Sequence, residues 1–288
     1  MPDSEMAWAK ADPDYVPPTI DITKPSVARV YDAILGGKDN FAVDREVARQ
    51  ATAAMGDNGN GARMNRAALG RAVRFMARGG IDQFLDLGSG LPTAQNTHQI
   101  AQSVNPAARV VYVDNDPSVS VHGQALLADD ASTRVILGDM REPATLLAHP
   151  RIERYLDFDR PLGLILNAVV HHILDAEDPY GIVATFKDVL APGSMMQLTH
   201  FSDASPESKA NEQVLKQSLG RGQVRTRAEI AAFFDGLEIL APGLVFLPEW
   251  RPDEQAGGAS GGRPPGDEEP APLPAGATLM LVGVGRKG

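Results

Sequence analysis

Apolar positions follow two rhythms along this chain. In the first, Val27, Val30, Tyr31 and Ile34 recur at helical spacing after Pro25, and the pattern stops at Gly36-Gly37, a natural helix end. A second helical stretch covers about 42–54. Asp57-Asn58-Gly59-Asn60-Gly61 reads as a loop. Asn65 to Ala77 predicts a third amphipathic helix, with Leu69, Val73 and Met76 on one stripe and arginines opposite. From residue 81 the rhythm changes. Short apolar runs, Ile81–Leu87, Arg109–Asp114, Arg134–Leu137, Leu162–Ala168 and Ser194–Phe201, alternate with helical stretches at about 93–103, 117–128, 142–148 and 178–190. Continuously apolar strands alternating with helices predict a parallel sheet covered on both faces.

Beyond Phe201 come a polar helix at about 206–219 and a helix opened by the capping box Thr226 and Glu229. Two further strands, Leu237–Leu247 and Ala277–Val284, flank a Pro-, Gly- and acid-rich stretch, 251–275, that reads as a loop. A late pair of this kind suggests an antiparallel edge. The expected division is a flexible arm (1–24), an N-terminal helical cover (25–80) and a Rossmann-like domain (81–288).

The bulk properties narrow the picture. The 288 residues carry a net charge of −10 and no run of Lys or Arg, so a general nucleic-acid partner is not expected. With no cysteine, disulfides, thiolate metal sites and cysteine nucleophiles are excluded. No apolar run reaches the roughly 18–20 residues that span a bilayer. The N-terminus lacks the basic and apolar regions of a signal peptide, so a cytoplasmic protein with no membrane partner is expected.

Candidate chemistry sits at the strand ends. Asp86-Leu87-Gly88-Ser89-Gly90 ends the first parallel strand, where ligands of open α/β sheets bind. Gly88 and Gly90 let the backbone turn tightly and approach a ligand. Thr93 stands where a dinucleotide fingerprint has its third glycine. A pyrophosphate needs that glycine, whereas S-adenosylmethionine (SAM) has none, and Asp86 suits an ammonium. The residues therefore favour SAM over NAD, and an NAD(P)-dependent oxidoreductase stays open as an alternative. Asp114 ends the second strand 24 positions after Gly90 and can accept both ribose hydroxyls. Asn115 follows it into the turn, and Asp116 reads as a helix cap. Gly138-Asp139-Met140 ends the third strand; Asp139 can accept from an adenine amino group, and Met140 can pack on its ring. Asn167 ends the fourth.

His171 and His172 follow Asn167, and His200 lies near the end of the fifth strand; all three are candidate general bases. A purely structural role for one of the paired histidines weighs equally. No third ligand at a familiar spacing joins the pair, so no metal is expected. Between the first two helices, Tyr31, Gly37, Asn40 and Phe41 are expected to touch cofactor or substrate, with an ordinary helix–helix turn as the plainer reading. Arg63 and Asn65 are candidates for the methionine carboxylate, and surface capping explains them as well.

These motifs resemble the class I SAM-dependent methyltransferases. The resemblance is closer to one bacterial S-adenosyl methyltransferase family, formerly catalogued as a domain of unknown function. It rests on residues 28–41 (ARVYDAILGGKDNF), 84–98 (FLDLGSGLPTAQNTH) and 111–117 (VYVDNDP), and on Pro192-Gly193-Ser194, His200, Trp250-Arg251-Pro252-Asp253 and 283–287. It implies a seven-strand, mostly parallel sheet with an antiparallel last strand and an N-terminal helical cover. It names no substrate. His172 departs from the family, which carries an aromatic residue after the first histidine. The expected function is methyl transfer from SAM to a small-molecule acceptor. The alternative is a non-catalytic SAM-binding regulator, and a homodimer stays open.

Overall fold

The computed structural model describes residues 19–93, 95–126, 132–252 and 273–288. Most of the expected arm and most of the expected 251–275 loop lie outside the described residues.

Five parallel strands form the body of the sheet: β1 (Gln83–Leu87), β2 (Arg109–Asp114), β3 (Thr133–Leu137), β4 (Gly163–Asn167) and β5 (Met195–Phe201). Their spatial order is β3-β2-β1-β4-β5, so the order reverses beside β1. That reversal opens a crevice at the carboxyl ends of β1 and its neighbours. Strand residues alternate between two cores. Phe84, Val110 and Tyr112 join Leu69, Val73 and Met76 on one face. Leu85, Leu87, Val111 and Val113 join Phe186, Phe233 and Phe234 on the other. Burial on both faces explains why each strand reads as an unbroken apolar run.

The late strands correct one expectation. β8 (Met280–Arg286) is antiparallel, yet it lies inside the sheet, between β5 and the short strands β6 (Glu238–Ile239) and β7 (Val245–Phe246). The expected single strand 237–247 is broken in its middle. Gly243 takes φ +99° and its N–H donates to Leu240 O at 2.8 Å, closing a turn around Pro242, which has no N–H for the ladder. The seventh, outer sheet position is thus shared by two fragments pairing with one β8.

Helices α1 (Val27–Ile34), α2 (Ala42–Met55) and α3 (Asn60–Arg78) form the N-terminal cover. α3 packs on the sheet through its apolar stripe. Buried Arg29 fastens α1. It pairs with fully buried Asp44 at 2.9 Å and donates to Ser118 Oγ and to the carbonyls of Asp21 and Lys24. This holds residues 21–24 against the body of the protein. Along the rest of the chain run α4 (Thr97–Val104), α5 (Pro117–Leu126), α6 (Pro143–Leu147), α7 (Pro150–Tyr155), α8 (Pro179–Asp188), α9 (Pro206–Leu219) and α10 (Arg227–Ala232). α10 opens on the expected capping box, with Thr226 Oγ1 accepting from Glu229 N and Glu229 accepting from Thr226 N. α7, six residues between His149 and Leu156, is not among the helices expected from sequence.

Candidate functional site

A cavity of about 540 Å³ runs along the carboxyl ends of β1 to β5. At about 4.8 Å per strand, the five ends span roughly 19 Å. The volume falls within the range of small-molecule and cofactor sites. Its roof is the segment from Thr19 through α1, with contributions from α2, α3 and α9.

The Gly88-Ser89-Gly90 turn forms the floor, and its two glycines do different work. Both take φ +67°, a region that L side chains rarely adopt. A Cβ on Gly88 would fall on Val169, 2.7 Å from its Cβ, whereas a Cβ on Gly90 would meet no atom within 4 Å. Gly88 is therefore a packing contact, and Gly90 faces open cavity.

Three carboxylates stand around this turn. Asp86 is buried and accepts from Thr97 Oγ1 at 2.7 Å; burial pushes its carboxyl up to about 7, against the pull of Thr97 and of the nearby Arg66 charge. Asp114 accepts from Gly90 N (2.8 Å) and Asp116 N (2.9 Å). Burial raises its carboxyl to about 6 although both amides oppose the shift. Asp139 pairs with Arg141, which also reaches Glu177. Burial opposes ionisation of Asp139, but the hydrogen bonds from Arg141 prevail and hold it at about 2. Ser89, Asn115, Gly138, Met140 and Asn167 also line the cavity. Asn167 Oδ1 accepts from Gln197 Nε2 and Thr199 Oγ1, both at 3.2 Å, which leaves its NH₂ for a ligand. Asp116 caps α5 by accepting from Ser118 N at 2.7 Å and also bonds Ser26 Oγ.

The three histidines separate. His171 and His172 line the cavity, and the Nδ1 of each is buried without a hydrogen-bond partner. Desolvation pushes His171 well below its ordinary 6.5 and His172 down to about 4, so both are neutral at pH 7. His200 lies outside the cavity wall, fully buried. Its Nδ1 faces Phe201 O at 2.8 Å and its Nε2 faces Arg225 Nη1 at 2.7 Å. With Arg225 as the donor to Nε2, the proton sits on Nδ1, and both ring nitrogens are used within the fold. Arg225 also bonds Asp175 and Ile173 O, bracing the turn that carries His171.

The structure does not bring every expected residue to the cavity. Gly37 and Asn40 form a turn wrapped around Asp32: Asn40 Nδ2 donates to its carboxylate at 2.7 Å, and a Cβ on Gly37 would strike that carboxylate. Phe41 starts α2 at the surface, beneath the Arg29 guanidinium. Residues 36–40 form a helix–helix turn; of the four expected contact residues, only Tyr31 lines the cavity. Arg63 is exposed and donates to Asn58 O. Asn65 is buried and donates to Tyr31 OH at 3.0 Å. Thr93 is held by Asn96 and lines a separate 280 Å³ cavity behind the loop, beside Thr97 and Tyr112.

The lining residues that escape the sequence reading include Arg66, Asn211 and Arg221. Helical phase could have found the first. Arg66 lies one turn before Leu69, on the stripe that faces inward, and Arg63 falls off that stripe. Asn211 likewise shares a face of α9 with Leu215 and Leu219.

An open, switch-point crevice ringed by strand-end acids defines an α/β protein that binds a nucleoside-type cofactor. The family follows from comparison. The S-adenosyl methyltransferase family model matches residues 13–287, and the chain belongs to that family. A candidate methyltransferase from Thermobifida fusca YX is 44% identical, with 95% of this chain and 99% of that one covered and a TM-score of 0.85. A duf574 family protein from Streptomyces avermitilis MA-4680 is 35% identical, with 94% and 100% covered and a TM-score of 0.83. Comparison with curated protein sequences gives no match. Membership decides between the two cofactor classes that the residues left open. The cofactor is SAM, and the protein is a SAM-dependent methyltransferase.

Proposed function

We propose that the protein moves the methyl group of SAM to a small-molecule acceptor held over the ends of β4 and β5. The observation that carries this is the continuity of one cavity from Asp139 and Asp114, past Gly90, to His171 and Phe201. It provides a polar half and a second, largely apolar half side by side.

The residues present fit the cofactor. The open space before Gly90 admits a ligand against the backbone, and the acids and Arg66 match its polar groups. Asp114 is suited to the ribose hydroxyls, Asp86 to the methionine ammonium, Arg66 to the methionine carboxylate, and Asp139 with Met140 to the adenine. When bound, SAM supplies an activated methyl group on a sulfonium centre. The chain then has two tasks. It holds the acceptor in line with that carbon, and it accepts a proton when the acceptor carries one. His171, neutral and with an unpartnered Nδ1 at the cavity wall, suits the second task. His172 is the other neutral imidazole within reach. His200 is engaged elsewhere and acts as a positioning residue behind His171.

The test is incubation of the protein with methyl-labelled SAM and a low-molecular-weight cell extract. Label should appear in a small-molecule fraction, and His171→Gln should reduce its appearance while SAM affinity holds. SAM binding with no transfer to any fraction would sink the reading and leave a binding protein.

A further inference from the structure

The half of the cavity beneath α2 and α9 carries information about the acceptor. Its walls are Ile34, Met55, Phe201, Leu215, Leu219 and Met280. Among the described residues, every carboxylate on the cavity wall, Asp21, Asp86, Asp114, Asp116 and Asp139, belongs to the N-terminal segment or to the ends of β1 to β3. None lies on the α2–α9 side. The one charged side chain there is Arg221, which donates to His172 O at 3.0 Å and is balanced by Glu177 from outside the cavity.

Three polar atoms on this side of the cavity lack partners: Asn211 Oδ1, His171 Nδ1 and His172 Nδ1. Asn211 and His171 are each 2% exposed, and Asn211 Oδ1 and His171 Nδ1 make no hydrogen bond. Buried polar atoms left unpaired are costly and rare in native structures. Asn211 Oδ1 is an acceptor, His171 Nδ1 is one when the neutral ring carries its proton on Nε2, and both residues line the cavity. A ligand that satisfies them brings an O–H or N–H donor. Aliphatic amines carry their donor as a cation at neutral pH. A cation here would meet no carboxylate on the cavity wall, would lie beside Arg221, and would face the positive sulfonium of the cofactor in the same cavity, where like charges repel. A hydroxyl avoids all three penalties. A phenol or enol is much closer in acidity to an imidazolium than an aliphatic hydroxyl is, so it gives up its proton to His171 more readily.

Building on the methyl-transfer reading, we infer that the acceptor is an apolar molecule presenting a phenol- or enol-type hydroxyl toward His171 and Asn211. In the reaction an oxygen lone pair forms the bond to the methyl carbon. The carbon–sulfur bond breaks with its electron pair on sulfur, giving a neutral thioether. The hydroxyl proton passes to His171 and from there to solvent.

The test compares two rigid probes of matched shape, 2-naphthol and 2-naphthylmethylamine, the second a cation at neutral pH. Calorimetric titration into the full chain without SAM reads binding independently of turnover. The naphthol should bind at least about tenfold more tightly, the difference that ~1.4 kcal/mol makes. Asn211→Leu should weaken naphthol about three- to tenfold, the value of one hydrogen bond, with SAM affinity unchanged as evidence of intact folding. Methyl-labelled SAM should then mark oxygen in a panel of phenols and amines. Equal or tighter binding of the ammonium probe, no measurable naphthol binding, an Asn211→Leu variant that binds naphthol normally, or label on amines alone would overturn the inference. Naphthol binding as expected with no transfer to any acceptor overturns the methyl-transfer reading and leaves the binding preference standing.

Discussion

Alanine at Gly88 and alanine at Gly90 change the chain by the same single carbon, in the same turn, at the same φ of +67°. The left-handed backbone costs each variant about 1–2 kcal/mol. Only Gly88→Ala adds a clash, because its new methyl lands on Val169. Overpacking of that kind costs a further ~1–3 kcal/mol, which makes a total loss of roughly 2–5 kcal/mol for Gly88→Ala. Against a usual stability of about 5–15 kcal/mol, this is a large fraction. Gly90→Ala should lose only the backbone part, about 1–2 kcal/mol, in urea unfolding. Its methyl points into the space expected for the cofactor, so calorimetry should show SAM binding weakened by about 5- to 150-fold, the effect of ~1–3 kcal/mol. Val169→Ala should recover part of the loss in Gly88→Ala and none of the loss in Gly90→Ala, a coupling read by a double-mutant cycle. Equal urea midpoints for the two glycine variants, or wild-type SAM affinity in Gly90→Ala, would refute the assignment of one glycine to packing and the other to ligand.

Three further outcomes are expected. Asp114→Asn should weaken SAM by about 10- to 150-fold in calorimetry, since hydrogen bonds to a charged group contribute ~1.5–3 kcal/mol. Asp44→Ala, which removes the closer carboxylate from buried Arg29 and leaves it only Asp116 at 3.8 Å, should cost on the order of 3 kcal/mol in urea unfolding, the low end for a broken buried pair. His200 titrates at about 3 in the fold instead of 6.5, chiefly because burial disfavours the cation. Between those values the unfolded chain binds more protons, so this contribution is fully present above pH 6.5 and is lost as pH falls. At pH 5 the loss amounts to about 2 kcal/mol, and His200→Gln should flatten the stability–pH curve by that amount in urea titrations at pH 7 and 5.

The β/α alternation and the strand-end acids were legible because burial on both sheet faces leaves an unambiguous apolar signature, and because the first acidic ends fall at regular intervals. What sequence could not show was which way helical side chains face once helices cross. The Tyr31–Phe41 segment carries loop residues that suit a binding site, yet Asp32 gathers Gly37, Asp39 and Asn40 around itself. Arg63 and Arg66 are equally plausible by type, and only helical phase separates them. His200 looks like its two companions until the partners of both ring nitrogens are known. The break at 240–243 lies hidden in a run that reads as one strand, since Pro242 and Gly243 act through backbone geometry.

The interior position of β8 bears on the order in which the site is assembled during synthesis. β8 leaves the ribosome after both strands that it separates, and the cavity takes Leu279 and Met280 from its start as well as Thr19 and Ile20 from the opposite end of the described chain. An emerging chain can pair β1 to β5 early, but β6 and β7 have no ladder partner until β8 arrives. Nascent molecules therefore pass through a stage with an unpaired β5 edge and an incomplete ligand wall, and such exposed edges invite mispairing. Completion of the last strand also completes the apolar wall of the cavity, so only chains that have closed their sheet offer a finished acceptor side.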